Sequence, residues 1–258
     1  MSKPTLVLLH GFLGAANDWS ALIERLPDCD CIALNLPGHG DACEQRLNRM
    51  ADFPLWLNQQ LQQRDISNYH LLGYSLGGRL ALQFAATQPA GLQSLVLENA
   101  HPGLSSQDER KTRASADAHW ARRFYRESLT DVLADWYQQP VFADLSPTER
   151  VALIHERSQN SAAQLAHMLC CCSLAKQLDL QPWLQDTLLP VLYLCGEQDL
   201  KFQAIGAQLA THCSSVTQKI LAGGHNLHRA NPESMAAAIR QWLTNVYPNH
   251  LKLQVGGK

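Results

Sequence analysis

Six short apolar runs, separated by segments of helical length and amphipathic spacing, constrain this chain more than any other feature. The runs fall at residues 5–9, 31–34, 69–73, 95–97 and 191–195, with a weaker sixth at 216–221. Helix-like spacing fills 17–26, 50–64, 76–87, 202–211 and 232–246. Strands that read as continuous hydrophobic stretches are buried on both faces, and strand–helix alternation supplies helices to cover them. The pattern predicts an α/β fold whose mostly parallel sheet is flanked by helices. A chain of 258 residues is long enough for one such domain, burying roughly three quarters of its unfolded surface without a covalent staple.

One stretch breaks the alternation. Residues 101–184 contain several helical patterns, interrupted around Pro140 and Pro147, and no convincing strand. Ordinary surface helices would account for the pattern, but the length of the stretch favours a helical cap. Such a cap would lie over the carboxyl ends of the strands, where open α/β sheets hold ligands. The expected organisation is a core from 1–100 and 185–248, an inserted cap at 101–184, and a frayed tail at 249–258.

Bulk properties narrow the partners. The net charge of −2 and the lack of a long like-charged run argue against general nucleic-acid binding. No apolar run reaches the roughly 20 residues that cross a bilayer, and no secretory leader is visible, so a cytoplasmic protein is expected, with a monomer as the working expectation. Eight cysteines include the consecutive Cys170, Cys171 and Cys172, a spacing that suits neither a disulfide framework nor zinc. Reduced thiols and no metal are expected.

The chemistry centres on Gly73-Tyr74-Ser75-Leu76-Gly77, which ends one predicted strand and opens the following helix. Small residues there permit a strained turn that lifts the Ser75 hydroxyl above the sheet. A serine hydroxyl becomes reactive only when a neighbour takes its proton. Asp199, after the run 191–195, and His225, in Gly223-Gly224-His225-Asn226, occur in the chain order and the loop positions that such a centre requires. Glu197 and Glu98 are rival acids; Glu98 also follows a strand. His10-Gly11-Phe12-Leu13-Gly14 ends the first strand, and the backbone amides of Phe12 and Leu76 are the expected oxyanion donors. His10 itself reads as a structural residue of the turn.

Taken together, these elements resemble the α/β-hydrolase superfamily over essentially the whole chain. Many members carry an antiparallel hairpin before the first parallel strand. Here four residues precede it, so a shorter sheet is expected on that side. Basic residues then bear on the substrate. Between Arg110 and Arg126 lie six (Arg110, Lys111, Arg113, Arg122, Arg123 and Arg126) against the single acid Asp117. Most of these suit a solvated helix face. Arg79, one turn after Ser75, and Arg157 in a later helix point instead to a substrate with several carboxylates.

A narrower resemblance rests on Gly73 through Arg79, His101-Pro102-Gly103-Leu104, Ala134 through Phe142, Arg157-Ser158 with Asn160, and Gly224-His225-Asn226 with His228-Arg229. These motifs resemble the 2-succinyl-6-hydroxy-2,4-cyclohexadiene-1-carboxylate synthases of menaquinone biosynthesis. The resemblance implies a lyase that eliminates pyruvate from 2-succinyl-5-enolpyruvyl-6-hydroxy-3-cyclohexene-1-carboxylate, a small polycarboxylate, without a cofactor. It implies Ser75, Asp199 and His225 as a general-base triad and Tyr74, Arg79, Arg113, Trp136 and Arg157 as substrate-binding residues. Two other readings stay open: a carboxylesterase or thioesterase with Ser75 as covalent nucleophile, and a non-catalytic binder of a small acidic ligand.

Overall fold

A computed structural model describes residues 3–246. The tail expected at 249–258 lies outside the described residues. Six strands, β1 (Thr5–Leu9), β2 (Asp30–Leu34), β3 (Tyr69–Tyr74), β4 (Leu92–Glu98), β5 (Val191–Gly196) and β6 (Val216–Leu221), pair in the order β2-β1-β3-β4-β5-β6. Every pairing among them is parallel.

Alternating side chains explain why the strands read as unbroken apolar runs. Val7, Leu9, Leu71, Leu95, Leu97, Val191 and Tyr193 enter a core on one face. Leu6, Leu8, Leu72, Val96, Leu192 and Leu194 enter a second core on the other. The first face is covered by α2 (Phe53–Gln62), α3 (Leu76–Ala85), α8 (Gln181–Asp186) and α9 (Leu200–His212), which contribute Phe53, Leu80, Leu184 and Leu209. On the second face lie α1 (Ser20–Ile23), α10 (Leu227–Ala230) and α11 (Pro232–Val246), with Leu22, Leu227, Ile239 and Leu243. Both faces of the inner strands β3 and β5 are therefore dry, the condition a parallel sheet requires.

Most element boundaries follow the sequence pattern, with two instructive differences. Strand β4 starts at Leu92, three residues before the apolar run, because Leu92 and Ser94 pair with Tyr69 and His70 of β3 across an irregularity at Gln93. The segment expected as one helix at 17–26 is a 3-10 turn (Ala16–Trp19) followed by the short α1.

Between β4 and β5 the described chain holds helices only. These are α4 (Gln107–Arg126), α5 (Leu129–Trp136), α6 (Pro147–Arg157), α7 (Ala162–Cys171) and α8, with 3-10 turns at Pro140–Phe142 and Leu174–Lys176. Pro140 and Pro147 do not interrupt helices; each is the first residue of one, where a missing N–H costs nothing. Ser146 and Glu149 form a capping box at the start of α6. Phe124, Val132, Leu133, Leu153 and Leu165 build a separate apolar cluster that includes Leu13 of the core. Helix α8 straddles the boundary expected at 184/185 and packs its Leu184 into the sheet's own core.

Candidate active site

The carboxyl ends of β1, β3, β4, β5 and β6 lie on one edge of the sheet, and the candidate side chains leave from there. Register places Tyr74 beside Glu98, and the amide of the next residue, Ser75, donates to the Glu98 carbonyl at 2.9 Å. Ser75 then has φ of 47° and ψ of −107° before α3 begins at Leu76. A side chain in the left-handed half of backbone space stores strain on the order of 1–3 kcal/mol. The sheet on one side and the helix on the other hold it there.

Asp199 and His225 come from neighbouring loops that are bonded along their length. Glu197 N donates to Leu221 O at 2.8 Å and Gln198 N to Gly223 O at 3.0 Å. A Cβ on Gly196 would sit 2.1 Å from the Gly224 carbonyl, so only glycine permits this approach. His225 Nδ1 consequently lies 2.6 Å from Asp199 Oδ2, and both residues are buried. Asp199 Oδ1 accepts from the Phe202 amide at 3.3 Å and caps α9, so the carboxylate is fixed from two sides. Asn99 Nδ2 donates to the His225 carbonyl at 2.7 Å. The His225 ring packs 5.0 Å from Phe202 and 5.4 Å from Tyr74, centroid to centroid. The Ser75 hydroxyl makes no hydrogen bond to any described residue, His225 included.

Phe12 and Leu76 bracket the serine. A Cβ on Gly11 would lie 2.6 Å from the Tyr74 ring and 3.6 Å from Ser75 Cβ, so the loop after β1 rests on the elbow. Neither the Phe12 nor the Leu76 amide donates within the described protein. His10 is structural: its Nε2 accepts from Leu36 N at 3.0 Å, and burial lowers its pKa to about 3.

A cavity opens over Ser75, lined by Phe12, Leu76, Arg79, Arg113, Trp136 and Lys201 together with Asn99, His101 and Phe202. Its lining has three cationic residues and no carboxylate. Arg79 donates to Cys172 O at 2.9 Å and Gln177 Oε1 at 3.2 Å, both neutral acceptors. Burial, then the neighbouring Arg113, lowers the Arg79 pKa to about 10. Arg113 is paired with Asp117 at 2.8 Å. His101 Nδ1 accepts from Gly103 N at 3.1 Å, and burial, then Lys201 and the arginines, lowers its pKa to about 4. A neutral imidazole bonded in this way keeps its Nε2–H as a donor.

Not every residue named from the sequence reaches this cavity. Tyr74 is buried behind Ser75, its hydroxyl donating to Asn226 Oδ1. Arg157 is buried in an ion pair with Asp18 at 2.6 Å and lies outside the lining. The rival Glu197 is exposed. Glu98 bonds the ring of His228 at 2.8 Å, not that of His225. Of the six basic residues between Arg110 and Arg126, Arg113 alone is in the lining; Arg123, for example, is committed to Glu127 and Asp135. Lys201 and Phe202 escaped the sequence reading because their signal, proximity to Asp199, is that of any helix start. His101 stood in a quoted motif but had no role until the cavity gave it one. Among the described residues no three His, Cys, Asp or Glu side chains gather as a metal site, and no helix is long and apolar enough to cross a membrane.

A serine on a strained strand-to-helix turn, at the edge of a parallel sheet, is the mark of α/β-hydrolase proteins. The profile of the alpha/beta hydrolase fold family matches residues 4–232. The 2-succinyl-6-hydroxy-2,4-cyclohexadiene-1-carboxylate synthase of Citrobacter koseri is 44% identical over 241 residues, 93% of this chain and 94% of that protein. The same-named protein of Enterobacter sp. is 45% identical over 240 residues, 93% of this chain and 92% of its own. The solved structure of MenH from S. aureus superposes with a TM-score of 0.88 at 25% identity, covering 95% of each chain. This chain belongs to the 2-succinyl-6-hydroxy-2,4-cyclohexadiene-1-carboxylate synthase family.

Proposed function

We propose that this chain is a lyase of menaquinone biosynthesis that eliminates pyruvate from 2-succinyl-5-enolpyruvyl-6-hydroxy-3-cyclohexene-1-carboxylate, with Ser75 as the general base. The observation that carries the reading is the cavity lining: a serine at its floor, three cations around it and no carboxylate. A neutral ester would leave Arg79 and Lys201 without an ion-pair partner among the described residues. A substrate with carboxylates on its ring, succinyl arm and enolpyruvyl group pairs them.

The chemistry follows from the positions. The acidic ring proton beside the succinyl ketone passes to Ser75 as the serine's own proton passes to His225, whose imidazolium Asp199 stabilises. The electron pair moves into the ring, and negative charge on the ketone oxygen is held by the Phe12 and Leu76 amides. The C–O bond to the enolpyruvyl group then breaks, and the departing enolate takes up a proton to become pyruvate. No acyl-enzyme forms. A Ser75–His225 hydrogen bond forms when substrate expels water from the cavity. The helices between β4 and β5 serve as a cap: Trp136 packs against the substrate ring while Arg79 and Arg113 clamp carboxylates. Tyr74 and Arg157 support these contacts from behind the cavity wall.

Turnover of the enolpyruvyl substrate tests this directly. Pyruvate and the diene absorbance should form together at one rate, with p-nitrophenyl esters and acyl-CoA turned over far more slowly. Fast ester or thioester hydrolysis, with a burst of acyl-enzyme and no pyruvate, would establish the esterase reading instead.

A further inference from the structure

Lys201 breaks three local rules at once. It is the second residue of α9, whose first turn carries the positive end of the helix dipole, where a cation is disfavoured. It lines the cavity together with two guanidinium groups, and its pKa is lowered, first by partial burial and then by Arg113. Among the described residues it has no ion-pair partner: Asp199 and Glu109 bear on its charge, but Asp199 is committed to His225. Its one specific contact is with the Phe202 ring, 5.7 Å from Nζ, and that ring packs in turn on His225. Local rules broken at an otherwise well-ordered position point to function.

Resting on the polycarboxylate substrate proposed above, we infer that Lys201 is a third cationic clamp, contributed by the first turn of α9, that binds a substrate carboxylate. Arg79 approaches from α3 and Arg113 from α4, so Lys201 supplies positive charge on the remaining side, next to the acid–base pair. Three cations then meet three carboxylates. An ammonium on a flexible stem suits a carboxylate at the rim, where a fixed guanidinium fork is not required.

Steady-state pyruvate release by Lys201→Gln, Lys201→Arg and the unaltered enzyme tests the inference. Loss of one charge-assisted contact should raise KM by about 10- to 100-fold in Lys201→Gln. Most of that should return in Lys201→Arg. The melting temperature of Lys201→Gln should equal or exceed that of the unaltered enzyme, which a structural role for the lysine would not produce. An unchanged KM in Lys201→Gln, with the unaltered enzyme active, would overturn this inference alone. An unaltered enzyme that releases no pyruvate would overturn both this inference and the reaction on which it rests.

Discussion

Two histidine–carboxylate pairs draw their histidines from positions three residues apart, and their surroundings differ. His225 meets Asp199 at 2.6 Å through one oxygen, its ring packed on Tyr74, the residue before Ser75, and on Phe202 of the cavity lining. His228 meets both oxygens of Glu98 at 2.8 and 2.9 Å, and its own amide donates to the same carboxylate at 3.1 Å. Trp19 covers the second pair at 4.5 Å and Tyr74 lies 4.7 Å away. None of His225, Asp199, His228 and Glu98 is in the cavity lining, but His225 packs on Phe202, which is. The pairs share functional groups, and their surroundings separate them. A carboxylate bonded three ways under a tryptophan locks a loop in place. The other imidazole bonds its carboxylate through Nδ1, and its Nε2 makes no hydrogen bond to a described residue.

Substituting one carboxylate at a time sharpens that contrast. Asp199→Asn removes the charge that stabilises an imidazolium, and kcat for pyruvate release should fall by about 1,000-fold, within the range of general acid–base effects. Stability should change by less than about 1 kcal/mol, because asparagine caps a helix as well as aspartate does. A kcat within tenfold of the parent enzyme's would break the comparison.

Glu98→Gln should act the other way round. Urea unfolding should show a loss of about 2 kcal/mol as a buried, multiply bonded acceptor is compromised. Activity per folded molecule should stay within about tenfold, because a lock on the loop carries no proton. Full stability with a collapse in kcat would mean that Glu98 belongs to the acid–base centre after all.

How much of this was legible follows from where each signal resides. Two-face burial prints itself on a strand as a continuous apolar run, so β1, β3 and β5 could be read directly. The start of β4 could not, because polar Ser94 is held there by pairing with His70 of β3, 24 residues away. Ser75, Asp199 and His225 were legible because loop position and chain order constrain them jointly. The choice of Asp199 over Glu98 was legible only as a preference: the Glu98 side chain meets His228 across 130 residues. The Arg157–Asp18 pair spans 139 residues and leaves no local trace. Lys201 was invisible for a related reason, since a lysine in a helix's first turn gains meaning only once Arg79 and Arg113 stand beside it.

The measurement that bears most directly on the account is single-turnover pyruvate release by Ser75→Ala mixed with the enolpyruvyl substrate. Release should slow by about 1,000-fold or more, with the substrate still bound by the intact cations. Pyruvate and diene forming at the unaltered rate without the Ser75 hydroxyl would contradict the assignment of the base and, with it, the catalytic centre described here.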